Sequence, residues 1–242
     1  MMKGLIEESK TLFGEYGRLY SLDICSPCCV SREDEQLLLG HDRYQVPLPA
    51  IYAYNDTAKS GYTLETMGEL KYFAPRILEL VAQNAEVHHS RELYLQRFHL
   101  APREGWSPSE LDFFERYALA LFAEQLGSAK SPIRTLVMLH DLPVDVSALF
   151  PPMFKQHPKQ LVLFFADLYL YKVNWRKHKL INAFARKELS NVVIEFLLKE
   201  DTLRRVSETL EHLVWVQAIE LSAREEEQFE ILYTVLGGLR NN

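Results

Sequence analysis

The sequence predicts an all-α fold of stacked amphipathic helix pairs, arranged either as an α-solenoid-like array or as an irregular helical bundle. Three observations lead there. Apolar residues recur at spacings of three and four along nearly the whole chain, the period of one helix face. Short polar or proline-bearing joints separate these runs, as antiparallel helix pairs require. The 242 residues are also 48% hydrophobic and 12% aromatic, enough to bury a sizeable core as one large or two small domains.

Taken in chain order, the pattern predicts helices at about 6–20, 48–59, 63–81 and 88–99. In the third, Met67, Leu70, Phe73 or Ala74, Ile77 and Leu80 make the apolar face, and Pro75 predicts a kink or interruption. The next helix is the best defined. Leu111, Phe114, Ala118, Leu121 and Gln125 form a stripe broadened by Tyr117 and Phe122, with Glu110, Glu115 and Glu124 away from its centre. Ser107-Pro108-Ser109-Glu110 supplies a cap serine, a proline at the first helical position and an acid three residues after the cap, and Gly127 supplies the stop. Residues 133–150 predict short helices divided by Pro143. Further helices are expected at 159–171, 177–199, 203–219 and 224–239, the last opened by a Ser222–Glu225 capping box. The small and polar stretch 127–132 suggests a division into a cysteine-containing region, 1–126, and a C-terminal helical region, 127–242, or a loop inside one continuous domain. The similar helix lengths are repeat-like, without a defined sequence period.

Charge and hydropathy remove several function classes. The net charge is −6 with both signs interspersed, which disfavours extended nucleic-acid binding. No signal peptide is legible at the N-terminus, where Glu7, Glu8 and Lys10 interrupt any apolar run. The longest apolar candidate, LVLFFADLYLY, is broken by Asp167 and falls short of the roughly 20 residues of a spanning helix. A cytoplasmic protein with no membrane partner is expected.

All three cysteines lie in Cys25-Ser-Pro-Cys28-Cys29. Ser26-Pro27 predicts a helix start, placing Cys28 and Cys29 in a first turn where unpaired N–H groups favour a thiolate, opposed by Glu33, Asp34 and Glu35. Cys25 and Cys28 match a C-x-P-C redox turn over four residues only. The same spacing also brings two thiolates to one zinc ion, with His41 or His88 as further ligands. Ordinary packing of small thiols is the third reading.

Two histidine groups stand out. His88 and His99, eleven residues apart on a helix from Val87, would share a face, while His89 would point elsewhere. His140 sits beside Asp141, as a general base and its orienting acid would, but adjacent residues rarely supply that geometry and no nucleophile turn accompanies them. No phosphate loop, dinucleotide fingerprint or paired metal-binding histidine motif occurs in the sequence. The richest charge pattern is Lys172-Val-Asn-Trp175-Arg176-Lys177-His-Lys179, continued by Arg186 and Lys187. It suits an acidic partner or a short nucleic-acid segment, or else serves as a solvated helix junction.

Several of these segments together resemble a family of uncharacterised bacterial helical proteins: CSPCC, SREDEQLLL, LKYFAPRILEL and WSPSELDFFERYALALF, within about residues 20–126. In that family a Cys-x-x-Cys-Cys cluster precedes a Leu-Pro-Arg-Ile-Leu-Glu-Leu segment, then a tryptophan and an amphipathic helix. Phe73-Ala-Pro-Arg76 departs from the family's usual histidine-phenylalanine-leucine-proline-arginine. The resemblance implies a bacterial helical fold and no particular activity.

The sequence thus predicts a non-enzymatic helical module that binds another protein, as an adaptor or a toxin-neutralising immunity protein does, and that needs no cofactor. The alternative is a zinc- or thiol-dependent protein using Cys25, Cys28 and Cys29. A weaker one is nucleic-acid binding through residues 172–187.

Overall fold

The computed structural model describes residues 1–24, 30–128, 131–216 and 220–240. The fold is all-α. Twelve α-helices are present among the described residues, together with short 3-10 and π turns and one two-stranded ladder. No described helix is long and apolar enough to cross a membrane. The chain divides into two compact units, Met1–Leu121 with Ile133–Val144, and Phe122–Pro132 with Asp145–Asn242.

The first unit contains α1 (Met2–Leu12), α2 (Arg32–Gly40), α3 (Leu48–Asp56), α4 (Met67–Ala82), the short α5 (Gln96–His99), most of α6 (Pro108–Leu126) and most of α7 (Pro132–Leu139). Helix α1 stops earlier than the predicted 20, and the chain turns at Phe13 and Gly14. This turn leaves Tyr16 free to reach Glu110, to which its hydroxyl donates at 2.8 Å. Ser31 caps α2 by accepting from the Asp34 amide at 3.0 Å.

Helix α4 is the buried axis of this unit. It begins at Met67 rather than 63, because Thr63 and Thr66 bond each other in a local turn. Pro75 does not interrupt it, although the helix lacks an N–H there for the Lys71 carbonyl. Its end is a left-handed stop: Asn84 has φ 57°, its amide donates to the Val81 carbonyl, and the Ala85 amide donates back to Leu80. Phe13, Phe98, Trp106, Phe113 and Phe114 build the adjoining core, edge-to-face or tilted except for the stacked Phe98–Trp106 pair.

Two charged groups on α4 are buried with partners. Lys71 donates to Glu110 and to the Tyr16 hydroxyl, both at 2.8 Å. Glu69 accepts from the Tyr54 hydroxyl at 3.0 Å and from the Asp23 amide at 2.5 Å. Arg97, only 1% exposed, lies over the Tyr54 ring and donates to the Tyr62 hydroxyl and to the Tyr54 and Thr57 carbonyls. This buried array ties α5 to the end of α3.

The second unit contains α8 (Phe150–Gln156), α9 (Pro158–Asp167), α10 (Lys187–Leu198), α11 (Glu200–Glu211) and α12 (Ala223–Arg240). Its core is an aromatic cluster in which Phe150 meets Phe122, Phe164, Phe165 and Phe196. The predicted capping box is present at α12: the Ser222 amide donates to the Glu225 carboxylate at 2.8 Å, and the Glu225 amide donates back to Ser222 Oγ. The predicted short helices around Pro143 also form, as α7, a 3-10 turn at Val146–Leu149 and α8.

Two predicted helices are corrected. Residues 88–99 are not one helix but an irregular segment carrying a 3-10 turn, Arg91–Leu93, and then α5. Residues 177–186 likewise form no α-helix, and α10 starts only at Lys187. In both places side-chain-to-backbone bonds replace the helical ladder.

Candidate functional site

Asn55, at the C-terminal end of α3, is 1% exposed, and its side-chain amide donates to the carbonyls of Val87 at 3.2 Å and Tyr94 at 3.3 Å. One side chain therefore pins both ends of the irregular segment onto α3. The next residue, Asp56, then faces both histidines of that segment. His88 Nε2 is 3.2 Å and His89 Nδ1 3.1 Å from the same carboxylate oxygen, Oδ1. The two rings lie 4.1 Å apart, centroid to centroid. Gln96, in the first turn of α5, donates its amide to His88 Nε2 at 2.8 Å and to the Asn55 carbonyl at 3.1 Å.

His88 is buried while His89 and Asp56 are about half exposed. Burial, reinforced by His89, holds the His88 imidazole below its ordinary pKa, and Asp56 counters only part of that shift. His88 is accordingly neutral at pH 7. The sequence singled out His88 but paired it with His99 on a helix that does not form. His99 instead stacks on His140 at 6.4 Å. Asp56 lies 32 residues upstream with no spacing motif to announce it. His41 sits at the exposed C-terminal end of α2, its Nδ1 3.0 Å from the Leu37 carbonyl, apart from this group. Cys25, Cys28 and Cys29 lie outside the described residues.

The cationic segment is built by different means. After α9 the chain widens into a π turn, Leu168–Lys172, and then forms an antiparallel ladder pairing Val173 with Leu180 and Asn174 with Lys179. A 3-10 turn, Trp175–Lys177, joins the strands, and His178 adopts the left-handed region at φ 48°. Asn174 caps the turn by accepting from the Lys177 amide at 3.1 Å. Trp175 is held from below, its ring stacked on Tyr169 and its Nε1 donating to the Tyr169 carbonyl at 3.0 Å. Ser190 of α10 accepts from the Leu180 amide at 3.2 Å, anchoring the returning strand.

Val173 and Leu180 are buried, whereas Arg176, Lys177, His178 and Lys179 are exposed. Among the described residues, Arg176, Lys177 and Lys179 make no ion pair. Trp175 is 40% exposed, Phe184 40% and Ile181 57%. Elsewhere in the same unit an open cleft of about 440 Å³ is lined by Leu163, Phe164, Asp167 and Arg224 among others. Burial raises the Asp167 carboxyl above its ordinary range, against the pull of Lys172 and Arg224.

No protein-family model, curated protein or solved structure matches this chain.

Proposed function

We propose that this is a non-enzymatic helical binding protein that holds an acidic segment of a partner protein on the hairpin formed by residues 171–187. One observation carries the reading: a hairpin tip that presents Arg176, Lys177 and Lys179 exposed, with no ion pair among the described residues, beside a half-exposed, stacked tryptophan. Residues 172–187 contain six cations and no acid, while the chain as a whole has a net charge of −6. An acidic ligand is therefore drawn to this segment and repelled by much of the remaining surface. Trp175, fixed by Tyr169 beneath it, offers apolar area at little entropic cost, and Ile181 and Phe184 add more. An adaptor or a toxin-neutralising protein needs these properties and no catalytic group.

The test uses a fluorescein-labelled peptide of alternating acidic and aromatic residues, with a single-stranded oligonucleotide of equal charge as competitor. Submicromolar peptide binding is expected, weakened about tenfold or more by the combined change Arg176→Glu, Lys177→Glu and Lys179→Glu with circular dichroism unchanged. Tighter binding of the oligonucleotide transfers the site to nucleic acid. Failure of the unaltered protein to bind the peptide removes the reading.

A further inference from the structure

We propose that Asp56, His88 and His89 bind one divalent cation of the zinc class. Two of the three ligand-atom spacings are already those of coordination. Bonds of 2.0–2.1 Å to a tetrahedral ion put neighbouring ligand atoms about 3.3 Å apart. Asp56 Oδ1 stands 3.2 Å from His88 Nε2 and 3.1 Å from His89 Nδ1, and the three residues can each offer a ligand atom within 4.8 Å of the other two. The third edge joins the two histidines, and His89, with its side chain 57% exposed, is free to turn to adjust it.

The hydrogen bonding points the same way. His88 Nε2 faces the Gln96 amide nitrogen, which can only donate, and the Asp56 carboxylate, which can only accept when ionised. No single protonation state of that nitrogen satisfies both. A cation removes the conflict on the carboxylate side, because Nε2 and Oδ1 then both act as electron-pair donors to it. Gln96 has to release Nε2 for this, and it retains its bond to the Asn55 carbonyl. Two imidazoles and one carboxylate suit zinc, cobalt or nickel rather than calcium or magnesium. Asp56 and His89 face solvent, so water supplies the remaining coordination.

The full chain with Cys25, Cys28 and Cys29 all changed to serine isolates this site from thiolate binding. After chelator treatment and dialysis, ZnCl2 is titrated calorimetrically and CoCl2 by visible absorption. One equivalent is expected to bind, with a cobalt spectrum free of thiolate charge transfer. His89→Ala and Asp56→Asn, both at exposed side chains, are expected to weaken binding at least about tenfold with circular dichroism unchanged. No zinc binding by the serine-substituted protein, or binding undiminished in both His89→Ala and Asp56→Asn, overturns the proposal.

Discussion

Glu110 receives three donors on two oxygens while almost fully buried. The Tyr16 hydroxyl reaches Oε1 at 2.8 Å, and Lys71 Nζ and the Ser107 amide reach Oε2 at 2.8 and 2.7 Å. One carboxylate thus closes the cap of α6 and neutralises the buried Lys71 of α4. Glu110→Gln is expected to cost about 3–5 kcal/mol, because it leaves an ammonium buried without its counter-charge. The double change Lys71→Met with Glu110→Leu should recover a large part of that loss, and urea unfolding of the three proteins measures both. Half of this residue's role was legible in the sequence: the Ser107–Glu110 spacing announces a capping box. The Lys71 partnership was not, since those residues are 39 apart and periodicity says nothing about which polar group a buried face will carry. His88 shows the same limit. Its residue type drew attention, but its neighbours are set by Asn55 fixing two distant carbonyls, an interaction with no local signature.

At the level of elements, periodicity succeeded where capping chemistry agreed with it. Helix α6 has Ser107 at one end and Gly127 at the other, and its observed span, Pro108–Leu126, follows those signals. Helix α12 begins at Ala223 behind Ser222 for the same reason. Ser222→Ala is expected to cost about 1 kcal/mol. The loss should show as faster amide exchange confined to the first turn of α12, and unchanged exchange there would mean that Lys159, paired with Glu225 at 3.0 Å, holds the turn by itself. Periodicity failed where polar side chains gave the backbone other partners. In 177–186 the asparagine at 182 accepts from the Phe184 amide, His178 turns left-handed, and Ser190 takes the Leu180 amide, so no helical ladder can run through. Cations and a tryptophan that suited a junction between two helices therefore became the tip of a hairpin.

For the molecule as a whole, each unit has an aromatic core of its own, and in the second unit Phe150 meets the rings of Phe122, Phe164, Phe165 and Phe196. Phe150→Ala is expected to cost about 3–5 kcal/mol through the cavity it leaves. Hydrogen exchange should report loss of protection across α8 to α11, and a loss confined to α8 would show that the cluster does not hold the unit together. The all-α class was legible throughout, because it follows from helix period and joint composition, which are local. How the chain is shared between the units was not, because that depends on which distant faces meet. The sharing is also discontinuous in sequence: residues 122–132 belong to the second unit, whereas residues 133–144, with most of α7 and its buried Ile133, Leu136 and Met138, return to the first. A ribosome delivers the chain from its N-terminus, so the first unit stays unfinished until residue 144 has emerged. During that interval residues 122–132 are already exposed while the helices α8 to α12 that complete their unit have yet to be made. The nascent protein therefore passes through a stage in which the first unit lacks α7 and the second lacks α8 to α12, and the length of that stage is set by translation speed.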